Sequence, residues 1–204
     1  MRRIKNYAVP TALLAVIPIA FAARRAAATL IVFDDGVNGQ AIGSYYSPED
    51  VIFSNAAWRS EVLAGSSPPM VLASIDNQGA FVPPSDPIVA TFPMPVTSVS
   101  IIALDVGDAG CEMDAYDALT GGDLVATDQQ FGSGLGVGTY FNITDSAFDI
   151  QRIQLFQPNF DGNDGILWDN LSFTPVPEPA STSLLTAATI ALLARRRRMP
   201  AAAR

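Results

Sequence analysis

The apolar segments between residues 29 and 176 are all short, and this feature constrains the fold more than any other. They are rich in Val, Ile and Phe, they are separated by Gly, Pro, Asn and Asp, and none carries the 3.6-residue apolar spacing of a helix. Such a pattern is typical of strands bounded by turns. We predict strands near Thr29–Phe33, Val51–Phe53, Val71–Ile75, Ile88–Phe92, Val96–Leu104, Glu112–Asp117, Leu124–Thr127, Thr139–Ile143, Ile150–Phe156 and Ile166–Phe173.

Many short strands in one domain of this length predict an all-β fold, namely an antiparallel β-sandwich of jelly-roll type. Another closed form such as a barrel is the alternative. The segment Thr120-Gly121-Gly122-Asp123 supplies the positive-φ positions of a hairpin between two of the strands. Cys111 begins one of these strands, and we expect it to be buried and inert; intermolecular disulfide pairing is the alternative.

Charge is distributed unevenly along the chain. Residues 29–176 contain two basic residues, Arg59 and Arg152, against 19 acidic ones, which gives a formal net charge of −17. Phosphate backbones are bound by clustered Lys and Arg, so this composition excludes nucleic-acid binding by the middle of the chain. Histidine is absent and Cys111 is the single cysteine. A histidine base, a Ser-His-Asp triad, a His-ligated metal and an intrachain disulfide are therefore excluded.

The N-terminus is typical of a secretory signal peptide. A basic start, Met-Arg-Arg-Ile-Lys, is followed by an apolar run from Ala8 to Ala23 and then by small residues. We predict a signal helix over residues 1–28, with cleavage by signal peptidase after Ala22 or Ala28. An uncleaved membrane anchor is the alternative.

The C-terminus has three ordered parts. Pro177-Glu178-Pro179 is followed by an apolar stretch from Leu184 to Ala194 and then by the cluster Arg195-Arg196-Arg197-Arg198. The apolar stretch is shorter than the ~20 residues of a bilayer-spanning helix, and the arginines form a stop-transfer signal. A plain membrane anchor is the alternative reading of this end.

This order resembles the PEP-CTERM sorting signal of bacterial exported proteins. The resemblance implies that an exosortase recognises Pro177, Glu178 and Pro179, and that the tail serves as a transient membrane anchor before release or surface attachment. The chain would then divide into a signal peptide at 1–28, a β-sandwich domain at 29–176 and a sorting tail at 177–204 with a short apolar helix.

A second resemblance concerns the middle of the chain. Ile31-Val32-Phe33-Asp34-Asp35, Ala115-Tyr116-Asp117-Ala118 and Leu167-Trp168-Asp169-Asn170-Leu171-Ser172-Phe173 look like segments of exported jelly-roll domains that precede PEP-CTERM tails. Those domains are similar to galactose-binding-like and carbohydrate-binding modules. The resemblance supports the fold more than the function, because one fold hosts many functions.

A calcium site is predicted where the first and last strands meet. Asp169 shares the parity of the apolar Leu167 and Leu171, so it should point inward, where a carboxylate needs a partner. Asp34, Asp35 and Asn170 would supply further oxygen ligands for Ca²⁺. The alternative is that these acids accept backbone N–H groups at strand ends and bind nothing.

Four aromatic residues, Tyr45, Tyr46, Trp58 and Phe131, lie in or near Gly- and Ser-containing segments. Loops could present them to a sugar face; the alternative is that aromatic residues, Trp58 and Tyr116 among them, fill the core. On the predicted strand from Glu112, the side chains of Glu112, Asp114 and Tyr116 share one face, which we expect to be solvated.

The sequence thus predicts an exported, non-catalytic protein of the cell surface or biofilm matrix that binds a polysaccharide. A purely structural matrix or coat protein is one alternative. A glycoside hydrolase with two catalytic carboxylates is the other, although nothing in the sequence singles out one pair among 19 acids.

Overall fold

The computed structural model describes residues 27–75, 87–134, 139–159 and 165–176. All of them belong to one compact unit that spans residues 25–178. The predicted signal helix, the Pro-Glu-Pro motif, the C-terminal apolar helix and the arginine cluster lie outside the described residues, apart from residues 27 and 28 at the end of the predicted signal peptide.

The described residues form nine strands and one short 3₁₀ helix. The strands are β1 (Thr29–Ile31), β2 (Ile52–Ser54), β3 (Ala56–Ser60), β4 (Met70–Ser74), β5 (Ile88–Leu104), β6 (Cys111–Tyr116), β7 (Leu124–Gln130), β8 (Tyr140–Phe156) and β9 (Leu167–Pro175), and the 3₁₀ helix is Ser47–Glu49. All strand pairs are antiparallel, in the order β3-β4-β9-β5-β8-β6-β7, with β1 on β9 and β2 on β5. The predicted all-β antiparallel sandwich is confirmed.

The two long strands β5 and β8 belong to both layers of the sandwich. The first part of β5 pairs with β2 and with the last part of β8, which in turn pairs with β6. The rest of β5 pairs with β9 and with the first part of β8. One layer therefore contains β2, β6 and β7, and the other contains β1, β3, β4 and β9.

Each of the long strands bends where the layers join. Residues 92–95 of β5 lie opposite a single residue of β8 between the pairs Thr91–Arg152 and Val96–Ile150. Residues 147–149 of β8 lie opposite a single residue of β5 between Val96–Ile150 and Ser98–Ser146. Pro93 and Pro95 lie in the first insertion, and a proline cannot donate a ladder hydrogen bond. At each bend the sequence predicted two separate strands, one before and one after it. In the structure the two are one continuous strand.

The core is built by alternation along the strands. In β6 the side chains of Cys111, Met113 and Ala115 are buried, and the residues between them are partly exposed. Cys111 is fully buried, as expected, and burial raises the pKa of its thiol to about 12, so it is not a reactive thiolate. The same inward pattern continues in Ile153 and Leu155 of β8 and in Leu171 and Phe173 of β9.

The predicted hairpin is confirmed between β6 and β7. Gly121 and Gly122 both have positive φ, 62° and 81°. The backbone N–H of Asp123 donates to the Asp117 side chain over 2.8 Å, which closes the turn.

Strand β3 was not predicted from the sequence. Its residues, Ala-Ala-Trp-Arg-Ser, include no β-branched side chain, so its intrinsic strand preference is weak. Tertiary contact overrides this preference, because β3 pairs with β4 along its whole length and buries Trp58. Within the described part of the chain, no helix is long and apolar enough to span a bilayer.

Gly36 is predicted to be required for the packing of Trp58. A Cβ atom at Gly36 would overlap the indole ring, whereas one at Gly165 would meet no atom within 4 Å. We expect Gly36→Ala to lower the free energy of unfolding by about 1–3 kcal/mol through overpacking. Urea denaturation measures this, with Gly165→Ala as the control that should stay within about 0.5 kcal/mol of the parent. Equal midpoints for both variants would contradict the prediction.

Candidate functional site

The outward side of β6, together with its two neighbouring strands, carries a continuous set of polar side chains. Register places Asp114 between Thr127 of β7 and Gln154 of β8, and it pairs Tyr116 with Arg152. The opposite faces of β6 and β8 are buried in the core. We call this set the polar face, and it consists of Glu112, Asp114, Tyr116, Thr127, Gln129, Arg152 and Gln154.

Hydrogen bonds connect side chains across the three strands of the polar face. The hydroxyl of Tyr116 lies 3.3 Å from both Asp114 Oδ2 and Gln154 Oε1, either of which can accept its proton. The side-chain amide of Gln129 donates to Glu112 Oε2 over 2.8 Å. These contacts hold the side chains in fixed positions before any ligand arrives.

Arg152 is held against the same face by two contacts. Its guanidinium carbon lies 4.2 Å from the centre of the Tyr116 ring, which is a cation–π contact. Its NH2 group donates to the backbone carbonyl of Gly121 over 2.7 Å. The β6–β7 turn and Tyr116 therefore fix the orientation of the guanidinium.

Two atoms of the polar face are shielded from solvent and have no hydrogen-bond partner among the described residues. They are Oδ1 of Asp114, which is an acceptor, and Nε of Arg152, which is a donor. A buried polar atom without a partner costs about 1–3 kcal/mol, and native structures keep few of them. This pair makes the polar face the candidate functional site.

Burial and neighbouring acidic groups raise the pKa values of two side chains of the polar face. Burial, with the neighbouring Asp114 charge next in importance, raises the pKa of Glu112. Burial and Asp114 also raise the pKa of Tyr116, while Arg152 opposes this change. Tyr116 therefore stays a neutral hydroxyl that donates its proton to a neighbour.

The predicted juxtaposition of the first and last strands is confirmed. Strand β1 pairs with β9 through Ile31 and Leu171, and Asp169 is fully buried, as its parity predicted. Oδ2 of Asp169 accepts the Ser67 backbone N–H over 2.6 Å and its hydroxyl over 3.0 Å. Oδ1 accepts the backbone N–H of Asn170 over 2.7 Å. Backbone N–H groups and the Ser67 hydroxyl thus provide the partners that this buried carboxylate needs.

The other three predicted calcium ligands are also engaged in hydrogen bonds with groups of the chain. Asp34 Oδ1 accepts the backbone N–H of Met70 over 3.2 Å, and Asp35 accepts the Tyr46 hydroxyl. The side-chain oxygen of Asn170 lies 3.4 Å from the Ser67 hydroxyl. Across the described residues, no three acidic or cysteine side chains are grouped so that they could hold a metal ion. Calcium binding at Asp34, Asp35, Asp169 and Asn170 stays a prediction.

The predicted aromatic ligand residues divide into two groups. Trp58 and Tyr46 are 1% and 5% exposed and belong to the main core, so the prediction that loops present them to a ligand is wrong. Trp58 lies in β3, and Tyr46 packs edge-on against Phe33 and Phe53. The alternative, that such residues fill the core, describes both of them.

Tyr45 and Phe131 are exposed, at 49% and 47%. The Tyr45 ring stands edge-on to Tyr46 and Trp58, whereas Phe131 lies against Gly110, where a Cβ atom would come within 2.6 Å of its ring. These contacts place the two rings against different segments of the chain. Neither belongs to the polar face, and sugar binding by them stays a prediction.

Part of the polar face is visible in the alternation of the sequence. Alternation correctly placed Glu112, Asp114 and Tyr116 on one side of their strand, and it placed Arg152 and Gln154 opposite the apolar residues of β8. Sequence spacing could not reveal that β8 lies beside β6, because 35 residues separate Tyr116 from its pairing partner Arg152.

Comparison with protein-family models found no match, and comparison with curated protein sequences found none either. Among solved structures, the chain is similar to the K2 cleaved adhesin domain of Lys-gingipain of Porphyromonas gingivalis, with 14% identity, coverage of 72% of this chain and 99% of that one, and a TM-score of 0.46. It is also similar to CsCBM6-3 from Clostridium stercorarium, solved with cellobiose, with 15% identity, coverage of 72% and 94%, and a TM-score of 0.37. A third is the xylan binding module CBM86 from Roseburia intestinalis, with 15% identity, coverage of 74% and 96%, and a TM-score of 0.37.

Asp169 is predicted to stabilise the fold as a hydrogen-bond acceptor. Asp169→Asn replaces one acceptor oxygen with an NH₂ group that would face a backbone N–H, so we expect a loss of about 2–3 kcal/mol in unfolding free energy. Asp50→Asn is the matched control, because Asp50 is exposed and has a φ of 63°, which Asn tolerates well. Urea denaturation of both variants measures this loss. An Asp169→Asn variant that unfolds at the same urea concentration as Asp50→Asn would refute the prediction.

Proposed function

We propose that the protein is an exported, non-catalytic protein of the cell surface or extracellular matrix that binds a neutral polysaccharide through its polar face. The observation that carries the proposal is the pair of shielded, unpartnered atoms, Asp114 Oδ1 and Arg152 Nε, within a face whose other side chains are already ordered. A ligand group that both donates and accepts hydrogen bonds would satisfy the two atoms together.

Sugar hydroxyls fit this requirement, because each hydroxyl carries one donor and two acceptor lone pairs. A hydroxyl that donates to Asp114 and another that accepts from Arg152 would each form a charge-assisted bond, which is about twice as strong as a neutral one. Gln129, Gln154 and Thr127 supply further donors and acceptors around these two groups. The site is the outer side of a sheet, which suits a polymer lying across strands.

Net charge favours a neutral polymer over an anionic one. The domain between residues 29 and 176 carries a formal charge of −17, and a field of one sign repels polymers of the same sign. Glu112 and Asp114 add two carboxylates at the site itself against the single cation of Arg152. Uronate-rich or sulfated polysaccharides are therefore poor candidates.

Export is proposed from the ends of the sequence. The basic start and apolar run of residues 1–28 would direct the chain to the secretory pathway and to signal peptidase. Pro177, Glu178 and Pro179 would be recognised by an exosortase-type enzyme, and Arg195 to Arg198 would hold the tail at the membrane until it is removed. The signal peptide, the sandwich at 29–176 and the tail at 177–204 would then be three separate parts of the precursor.

The glycoside hydrolase alternative gains no support from the polar face. Glu112 and Asp114 are neighbours on one strand face, where each accepts a hydrogen bond from another side chain, Gln129 and Tyr116 respectively. Retaining glycosidases separate their carboxyl groups by about 5 Å and inverting ones by about 6.5–9.5 Å, which leaves room for the sugar or a water. No contact of the polar face singles out these two carboxylates as such a catalytic pair.

Substitutions at the two unpartnered atoms test the proposal. We expect Asp114→Asn and Arg152→Gln each to weaken binding to a neutral polysaccharide about 10-fold or more, because each removes a charge-assisted hydrogen bond worth about 1.5–3 kcal/mol. Isothermal titration with a panel of soluble neutral and anionic polysaccharides measures the affinities. Asp50→Asn and Arg59→Gln are the controls, since these residues are exposed and lie outside the polar face.

Three results would count against the proposal. If the parent protein binds no polysaccharide of the panel, the structural matrix protein becomes the better assignment. If binding is unchanged in Asp114→Asn and Arg152→Gln but lost in a Tyr45→Ala variant, the ligand lies on the exposed aromatic residues. Turnover of a polysaccharide that Asp114→Asn abolishes would establish the hydrolase.

A further inference from the structure

Asp145 is a buried carboxylate that the proposed function does not use. It lies on β8 opposite Val99 of β5 and is 2% exposed, so it points into the interior of the sandwich. Its Oδ2 atom is shielded from solvent and has no hydrogen-bond partner among the described residues. An ionised carboxylate in such a position is costly unless a positive group or a proton compensates it.

A second carboxylate reaches the same place from β7. Oδ2 of Asp128 accepts the backbone N–H of Thr144, the residue before Asp145, over 2.8 Å. The other oxygen, Oδ1, accepts the side-chain amide of Gln130 over 2.9 Å. This bond uses the NH₂ group of Gln130, and the carbonyl oxygen of the same amide is an acceptor.

The location is the open side of the sandwich. β7 ends the first layer, and the first part of β8 has β5 as its single ladder partner within the described residues. Asp128 bridges these two strand edges through Thr144. Asp128 thus brings a carboxylate from one layer beside Thr144, the residue that precedes the buried Asp145 in the other layer.

Within the described residues, both basic side chains are held elsewhere. Residues 29–176 contain two basic side chains. Arg59 pairs with Glu61 at 3.7 Å, and Arg152 is held against Tyr116 and Gly121 on the outer face. Asp128 and Asp114 instead add negative charge near Asp145.

We propose that Asp145 and Asp128 bind a Ca²⁺-type divalent cation, which joins the edge of β7 to the first part of β8. The ligands from the chain would be the free Oδ2 of Asp145, the carboxylate of Asp128 and the side-chain oxygen of Gln130. Water would complete the shell, as Ca²⁺ takes six to eight oxygen ligands in flexible geometry. Mg²⁺ demands near-ideal octahedral geometry and gives up its water reluctantly, so it should bind more weakly.

This site differs from the one predicted at Asp34, Asp35 and Asp169. There, backbone N–H groups satisfy the buried carboxylate, whereas Asp145 has a free oxygen. It also differs from the polar face, because Asp145 points inward and Asp114 outward.

The test is thermal unfolding of the purified full chain at pH 8 in chelator, in Ca²⁺ and in Mg²⁺. We expect the midpoint to rise by about 5 °C or more at a Ca²⁺ concentration near 100 times the dissociation constant, and by much less in Mg²⁺. In Asp145→Asn the Ca²⁺ response should disappear, while the midpoint in chelator should equal or exceed that of the parent, since a buried charge has been removed. Asp34→Asn should keep the full response.

Asp128→Asn and a direct binding measurement guard against a folding defect. Asp128→Asn should lose most of the Ca²⁺ response, and titration calorimetry with CaCl₂ should find one fewer bound ion in Asp145→Asn than in the parent. Absence of a Ca²⁺ response in the parent overturns the proposal. A response that survives Asp145→Asn but is lost in Asp34→Asn also overturns it, because the ion is then held at the other site.

A proton is the competing partner of Asp145. In that case the midpoint in chelator falls as the pH rises from 5 to 8, because the folded state holds a proton that the unfolded state has released, and Ca²⁺ at pH 8 does not restore it. That result rejects the cation site. Polysaccharide affinity is measured separately, so failure of either proposal leaves the other intact.

Discussion

The pairing of β5 with β8 is the interaction on which the rest of the structure depends. Each strand is 17 residues long, and together they contribute to both layers. Strands β2 and β9 pair with β5, and β6 pairs with β8. Strands β1 and β4 are attached through β9, β7 is attached through β6, and β3 is attached through β4 and β9. Both strands insert extra residues next to the pair Val96–Ile150, and the local break in the ladder lets the two strands bend from one layer into the other.

The sequence predicted the fold class because its signals are local. Short Val- and Ile-rich runs, the Gly-Gly hairpin and the inward parity of Asp169 all depend on residues close in the chain, and the structure confirms them. The sequence did not predict that Ile88–Phe92 and Val96–Leu104 form one strand, because Pro93 and Pro95 normally end a strand. Here the prolines lie in the inserted residues, where the ladder does not need their N–H groups.

The candidate site was harder to predict than the fold, because it depends on pairing between strands that are distant in the chain. Parity placed Glu112, Asp114 and Tyr116 together, but their partners Arg152 and Gln154 come from a strand that only the long β5–β8 ladder brings beside them. The aromatic residues failed as guides because exposure depends on tertiary packing. Gly36 lies against the Trp58 ring, and Phe33 belongs to the same core cluster as Trp58. Both residues are distant from Trp58 in sequence.

A domain with two arginines and 19 acids must place most of its carboxylates without salt bridges. Asp169 shows one solution, in which backbone and hydroxyl donors saturate a fully buried carboxylate. Asp114 and Asp145 show oxygens that the chain does not saturate, one facing outward and one inward. We propose a glycan as the partner of the Asp114 oxygen and a cation as the partner of the Asp145 oxygen.

Strand β7 connects these two assignments. Thr127 and Gln129 face the polar side of the sheet, and Asp128 and Gln130, the residues that alternate with them, face the edge of β8. Because side chains alternate along a strand, a cation held by Asp128 would touch no group that contacts the polysaccharide. Its influence on the polar face would be mechanical: it would fix an edge strand that has β6 as its single ladder partner within the described residues. A strand fixed on both sides holds Gln129 in register with Glu112, and that register orders the outer face before a ligand binds.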